Sequence, residues 1–384
     1  NFHGGKYLRQ DLVPRQYPVL GEYNDRQSSV LSQHMAWSKQ ANITLWAASW
    51  WGQGGTDDVT LKNYILPHSD LGDLKIAIHY ETVGRTSNYV YFDYTYSDIQ
   101  YLAKTYFGHS NYYRIDDRPV IFLYQAGVMF IFGLLENFVS QMRAAAESQG
   151  YNLYIIGDGA WGAPNADIIE GISYIDALTN YDVYGSMGAT GYAGQKAVNQ
   201  YYANQKHWRQ YAKSLGKGFV PSAMPGFNDK GVRDENAPLS RKLTANLEFG
   251  SLFRAMLEQA IQLVDSNSSD LLMITSFNEW HEDTQIEPVN TADATSVDIS
   301  STGKAYTDGL EYEGYGEKYL EILQRITEPS YSSQSSAKFR LISILSLLSV
   351  AFSSFFVIWK YRASTRKRGN IDSSNLIMCK GESS

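Results

Sequence analysis

Only one cysteine, Cys379, stands in the 384 residues, so neither an intrachain disulfide nor a Cys-based zinc site can form. Basic charge is short as well. Lys and Arg number 33 against 40 Asp and Glu, a net charge of −7, which argues against a nucleic-acid surface. No G-x-G-x-x-G opens a helix, which disfavours a dinucleotide-binding sheet, and His281-Glu282 lacks the H-E-x-x-H spacing of a helical zinc site. Apolar material, by contrast, is plentiful. At 43% hydrophobic and 14% aromatic residues the chain can fill a large core, so global disorder is excluded.

Charge divides the chain unevenly. Lys338–Ser384 holds eight basic and two acidic residues, against 25 and 38 in the first 337. Within the basic piece, Leu341–Trp359 is an uncharged run of 19 residues, LISILSLLSVAFSSFFVIW. At about 1.5 Å per residue, a helix of that length roughly spans the ~30 Å bilayer core. Its serines can bond back to their own helix, and charges fence both ends, so a membrane helix is favoured over a buried core helix. Lys360, Arg362, Arg366, Lys367 and Arg368 outweigh Lys338 and Arg340, which places the C-terminus in the cytosol and the body in the lumen or outside. The sequons Asn42-Ile-Thr44 and Asn267-Ser-Ser269 fit that side. The expected plan is a folded body at 1–329, a linker at 330–340, a single transmembrane helix at 341–359 and a cytosolic tail at 360–384. A luminal body calls for a signal peptide, expected before Asn1.

Within the body, short apolar runs alternate with amphipathic stretches. Thr44–Trp50, Lys75–His79, Val120–Tyr124, Leu153–Gly157, Ala177–Tyr184, Gly218–Ser222 and Leu272–Phe277 read as buried strands. Helices are expected at Ser29–Gln40, Ser97–Tyr106, Phe138–Gln149, Gln195–Ser214 and Phe249–Val264. This alternation predicts a parallel α/β fold. Nearly every strand ends in a polar or aromatic cluster, among them Ser49-Trp50-Trp51, His79-Tyr80-Glu81 and Asn278-Glu279-Trp280-His281-Glu282. Clusters at the C-termini of many strands describe the mouth of a (β/α)8 TIM barrel. Seven strands are plain, and the eighth is expected before Asn1.

The densest chemical segment is Ile274–Pro288, ITSFNEWHEDTQIEP. At a strand end, Glu279 and Glu282 can converge on one substrate bond while Trp280 offers a ring face. Glycoside hydrolysis needs one carboxylic acid for the leaving oxygen and a second carboxylate, in environments that push their pKa values apart. A metal site or a solvated loop are the competing readings of the same segment. Sugar rings present apolar faces that stack on aromatic planes. Trp50, Trp51 and Tyr184, next to strand ends, are therefore candidates for the pocket, and Trp37, Trp46 and Trp208 for packing.

These residues resemble glycoside hydrolase family ninety-nine, the endo-α-1,2-mannosidases and endo-α-1,2-mannanases. The resemblance rests on ITSFNEWHEDTQIEP at 274–288, YPVLGEYND at 17–25, SWWGQG at 49–54, KIAIHYE at 75–81, YFGHSNYYRIDDRPVIFLY at 106–124, YDVYG at 181–185 and FVPSAMPGFND at 219–229, in order over roughly residues 3–327. It implies a (β/α)8 barrel that cuts inside a mannose-containing chain with retention and without a metal or other cofactor. By position in the motif, Glu279 would deprotonate the sugar's own 2-hydroxyl, giving a 1,2-anhydro sugar, and Glu282 would serve as acid and then base. His79 and Glu81 resemble sugar-hydroxyl contacts. Trp50, Trp51, Tyr184, Asn278, Trp280 and His281 are candidates for the same pocket. Asp283 stands where the family usually has Gly, a change expected to strain a turn and to raise the pKa of Glu282. Thr82-Val83 replaces a common Pro-aromatic pair. The expected substrate is an N-glycan carrying glucosylated mannose, in the Golgi or elsewhere in the secretory pathway. A mannan or other surface polysaccharide, or a catalytically dead sugar-binding barrel, are the alternatives.

Overall fold

The β-branched apolar runs lie side by side as parallel strands in a computed structural model that describes residues 6–85 and 94–328, and the backbone of 340–345. The barrel strands are β1 (Ile43–Trp50), β2 (Lys75–Tyr80), β3 (Arg118–Leu123), β4 (Tyr154–Asp158), β5 (Ala177–Thr179), β6 (Gly218–Val220 with Ser222–Ala223), β7 (Leu271–Ile274) and β8 (Arg340–Leu345). Neighbours pair in parallel from β1 through β5 to Gly218–Val220. On the other side, β1 pairs β8, β8 pairs β7, and β7 pairs Ser222–Ala223. The two halves of β6 are joined by Pro221 alone, so the sheet closes on itself. Pro221 has no N–H to give a ladder, but its carbonyl accepts the Met273 N–H at 2.9 Å.

Strand parity sorts the core into two layers. Leu45, Ala47, Ala77, Phe122, Ile156 and Met273 fill the barrel interior. Trp46, Ala48, Trp50, Ile78, Tyr80 and Ile121 face the other way, toward the surrounding helices. Successive strand side chains point to opposite faces, so both layers are built from the same strands. Helices Ser28–Gln40, Thr95–Leu102, Leu135–Glu147, Gly194–Ser214, Ser251–Ala260 and Lys318–Thr327 cover the outer layer. In the last of them Tyr319, Leu320, Ile322, Leu323 and Ile326 are buried, a stripe of helical period. Burying Leu323 contributes about 1.5–3 kcal/mol, and truncating it to Ala would cost about 2–5 kcal/mol.

One expectation meets a different structure. Arg340–Leu345 lies between β1 and β7, at the eighth strand position. The same residues were expected to begin a transmembrane helix at Leu341. A short apolar run rich in isoleucine suits a buried parallel strand as well as a helix segment, and periodicity alone does not separate them. In the structure 340–345 pairs within the sheet, beyond the body expected at 1–329. Among the described residues no helix is long and apolar enough to cross a membrane. Residues 330–339, 346–359, the tail at 360–384 and Cys379 lie outside the described residues.

Candidate active site

Behind β7 the chain turns sharply, and the turn is pinned from several directions. The Ser276 Oγ accepts the Glu279 N–H at 2.9 Å and lies 2.9 Å from the Thr284 Oγ1. The Glu282 carbonyl accepts the Asn228 N–H from the loop after β6 at 2.7 Å. Glu279 itself caps the short turn Trp280–Glu282: its Oε1 accepts the His281 N–H at 3.0 Å and lies 3.2 Å from His281 Nδ1.

Glu282 sits in a different setting. Its side chain is 18% exposed, and its Oε1 accepts from Arg233 Nη2 at 2.7 Å. Burial first, then the charges of Glu279 and Asp229, push its pKa up to about 7, against the opposing pull of Arg233. Arg233 is shared, since its Nε lies 2.6 Å from the fully buried Asp229. An acid that still holds its proton near neutrality stands beside a carboxylate fixed by N–H donors, the division of labour that general acid–base chemistry needs.

From β1 and β2 come Ser49, His79 and Glu81, all of interior parity. The Ser49 hydroxyl donates to Glu81 Oε1 at 2.6 Å, and His79 Nδ1 lies 2.9 Å from the same oxygen. The half-buried Trp51 donates its Nε1–H to Ser49 Oγ at 3.1 Å. Tyr124 and Tyr181 complete this wall, with ring centroids 5.6 and 5.4 Å from His79. Burial, followed by Glu282 and Glu279, raises the Tyr181 phenol well above its ordinary value, so it remains a neutral hydrogen-bond donor. Asp158, at the end of β4, accepts the Tyr181 N–H at 2.9 Å and the Trp161 Nε1–H at 2.9 Å.

Other candidates fall elsewhere. Trp50 is fully buried, donates to Asp58 at 2.9 Å and packs on Tyr80, so it belongs to the outer layer. Parity explains this, because consecutive residues of a strand cannot both face the axis. Trp280 is 3% exposed and does not offer a ring face. Its Nε1–H donates at 2.8 Å to the buried Glu287, which also accepts from Tyr23 and pairs with His34. Tyr184 has one face covered by Phe227, with centroids 3.9 Å apart, and donates to the Ala237 carbonyl at 2.6 Å. Asn278 is 5% exposed and reaches Tyr23 at 3.5 Å. Asp283 adopts φ 47°, a left-handed turn that Asp tolerates better than most residues. Its carboxylate points away to Arg9 and Arg241, which overcome the effect of burial and hold it below the usual range.

Tyr181, Tyr124, Asp229 and Arg233 were not among the sequence candidates. The two tyrosines follow β5 and β3 and were findable from the strand-end rule. Arg233 carries no local signal. Among the described residues no group of three or more His, Cys, Asp and Glu is placed to hold a metal ion.

A closed ring of parallel strands with paired carboxylates at the C-terminal end is the build of a (β/α)8 glycoside hydrolase. More narrowly, the chain belongs to glycosyl hydrolase family 99, whose sequence signature matches residues 1–308. A glycoprotein endo-alpha-1,2-mannosidase-like protein of Danio rerio is 26% identical over 329 residues, 83% of this chain and 67% of that protein. The glycoprotein endo-alpha-1,2-mannosidase of Rattus norvegicus is 26% identical over 317 residues, 78% of this chain and 63% of that one. This chain thus spans about two thirds of the length of these relatives. Among solved structures, an endo-alpha-mannosidase of the same family from Bacteroides thetaiotaomicron, in complex with bis-tris-propane, superposes with a TM-score of 0.60 at 25% identity, covering 84% of this chain and 90% of that one.

Proposed function

We propose that this chain is an endo-acting glycosidase that cleaves α-1,2-mannosidic bonds inside mannose-containing glycans. The observation that carries the reading is the contrast between Glu282, with a pKa of about 7, and Glu279, held by His281. In the first step Glu279 takes the proton of the sugar 2-hydroxyl as that oxygen attacks the anomeric carbon. Glu282 gives its proton to the departing glycosidic oxygen, and a 1,2-anhydro sugar forms. In the second step Glu282 takes a proton from water, which opens the anhydro ring at the anomeric carbon. Glu279 returns its proton to the 2-oxygen, and two displacements give net retention. Ser49, His79 and Glu81 form a polar set suited to sugar hydroxyls, and Trp51 supplies a neighbouring ring.

The named relatives support a glycan substrate with α-1,2-linked mannose. Incubation with defined high-mannose glycans, followed by mass analysis, tests the reading. Release of an oligosaccharide supports endo cleavage, whereas mannose alone contradicts it. Turnover only on glycans capped with glucose supports trimming of N-glycans. Equal turnover without glucose favours a polysaccharide substrate.

We place the body in the secretory pathway. Asn42 and Asn267 are both exposed and lie ahead of β1 and β7, at the end of the barrel opposite the carboxylates. Glycans at either position leave the mouth clear. Membrane attachment through 341–359 competes with β8 for the same residues. With 340–345 in the sheet, residues 346–359 would make a helix of roughly 21 Å at about 1.5 Å per residue, short of the ~30 Å core. The basic cluster from Lys360 to Arg368 remains the observation favouring an anchor.

A further inference from the structure

Glu282 and Asp283 are adjacent carboxylates that the left-handed turn sends in opposite directions. Glu282 faces Arg233 and the barrel mouth. Asp283 is 1% exposed and lies between two guanidinium groups that are themselves almost wholly buried. Arg9, from the N-terminal turn Leu8–Asp11, donates its Nε–H to Asp283 Oδ1 at 2.6 Å. Arg241, ahead of helix Ser251–Ala260, donates its Nε–H to Oδ2 at 3.1 Å and its Nη2 to the Asp283 and Gln285 carbonyls at 2.7 and 3.0 Å. Gln285 adds a bond to Oδ1 at 3.1 Å. Both cations lie over the Tyr315 ring, at 4.9 and 5.0 Å, and Arg9 also holds Gln16 and the Glu313 carbonyl.

Resting on the glycosidase reading above, we propose that Asp283 is a positioning residue, which with Arg9 and Arg241 fixes the catalytic turn and shields Glu282 from two buried positive charges. A glycine at 283 allows the same turn but leaves both guanidinium groups without a carboxylate. The acid is then held from both sides, by Arg233 through its own oxygen and by Arg9 and Arg241 through its neighbour. The charged and titratable groups that face Glu282 are Arg233 and Asp229 from the loop after β6, Glu279 from its own turn, and Tyr124 and Tyr181 from the ends of β3 and β5. Asp283 balances the remaining positive charge one residue away.

The test uses the whole chain with three variants: D283N, R9Q and D283N/R9Q. Thermal melts, kcat and KM on an α-1,2-linked mannose glycan, and the pH profile are measured for each. D283N exposes Glu282 to two unbalanced cations. Its alkaline limb is expected to move down by roughly one pH unit, and kcat to fall on the order of tenfold with KM little changed. Removing Arg9 as well takes away one of those cations, and the limb should move back toward wild type. A fall in melting temperature alone, with kcat and the limb unchanged, would overturn the proposal. Should D283N fail to fold, R9Q keeps the Asp283–Arg241 pair and is expected to lose kcat at constant KM; unchanged kcat overturns the positioning role. Carbon NMR of the Glu282 carboxyl in 13C-glutamate-labelled D283N, or in R9Q, reads its titration without turnover. An unshifted D283N midpoint counts against Asp283 even if the chain proves inactive on mannose, whereas inactivity of wild type on every glycan counts only against the glycosidase reading.

Discussion

In the proposed mechanism Glu282 is the acid, and burial together with the charges of Glu279 and Asp229 outweighs the pull of Arg233. The sign of each contribution makes the residue scale testable. Arg233→Gln removes the guanidinium that pulls the Glu282 pKa down, so the alkaline limb of kcat/KM should rise above pH 7 by roughly one unit; a limb that stays or falls contradicts this balance. Trp50 and Trp51 separate packing from binding. Trp50→Ala empties a fully buried site and should cost about 3–5 kcal/mol in denaturant melts. Trp51→Ala should leave the melt within about 1 kcal/mol and raise KM, and the reverse pattern would show that the layers are misassigned. The proposed pair, Glu279 and Glu282, stood out in the sequence because the segment Ile274–Pro288 is dense in carboxylates at a strand end. Arg233, Arg9 and Arg241 were not legible, because each reaches the turn from a distant part of the chain.

At the scale of elements, strands and helices announced themselves through apolar runs and helical stripes, and most barrel strands fall where those runs are. What the runs did not decide was the partner of each strand. Leu341–Leu345 reads equally well as the start of a membrane helix, and only its pairing with β1 and β7 makes it a strand. Ending the chain at residue 339 should therefore open the sheet between β1 and β7. The truncated protein is expected to melt at lower temperature and to expose β1 amides to rapid hydrogen exchange. An unchanged melt and protected β1 amides would show that 340–345 does not complete the barrel.

For the molecule as a whole, a net charge of −7 conceals an acidic barrel and a basic C-terminal piece. The acidic barrel suits a neutral sugar, and its strand ends gather the polar side chains at one pole while both sequons lie at the other. Expression in a secretory host should give a chain that loses mass on treatment with a glycan-removing amidase, and N42Q/N267Q should abolish that loss without reducing turnover. No mass loss from the wild-type chain contradicts the secretory placement. The most direct measurement of the central claim is product release from an α-1,2-linked mannose glycan by wild type, Glu279→Gln and Glu282→Gln, followed by mass spectrometry. Wild type should release an oligosaccharide, and each variant should be slower by about 10²–10⁴-fold. Undiminished release from either variant, or release of single mannose units by wild type, would contradict it.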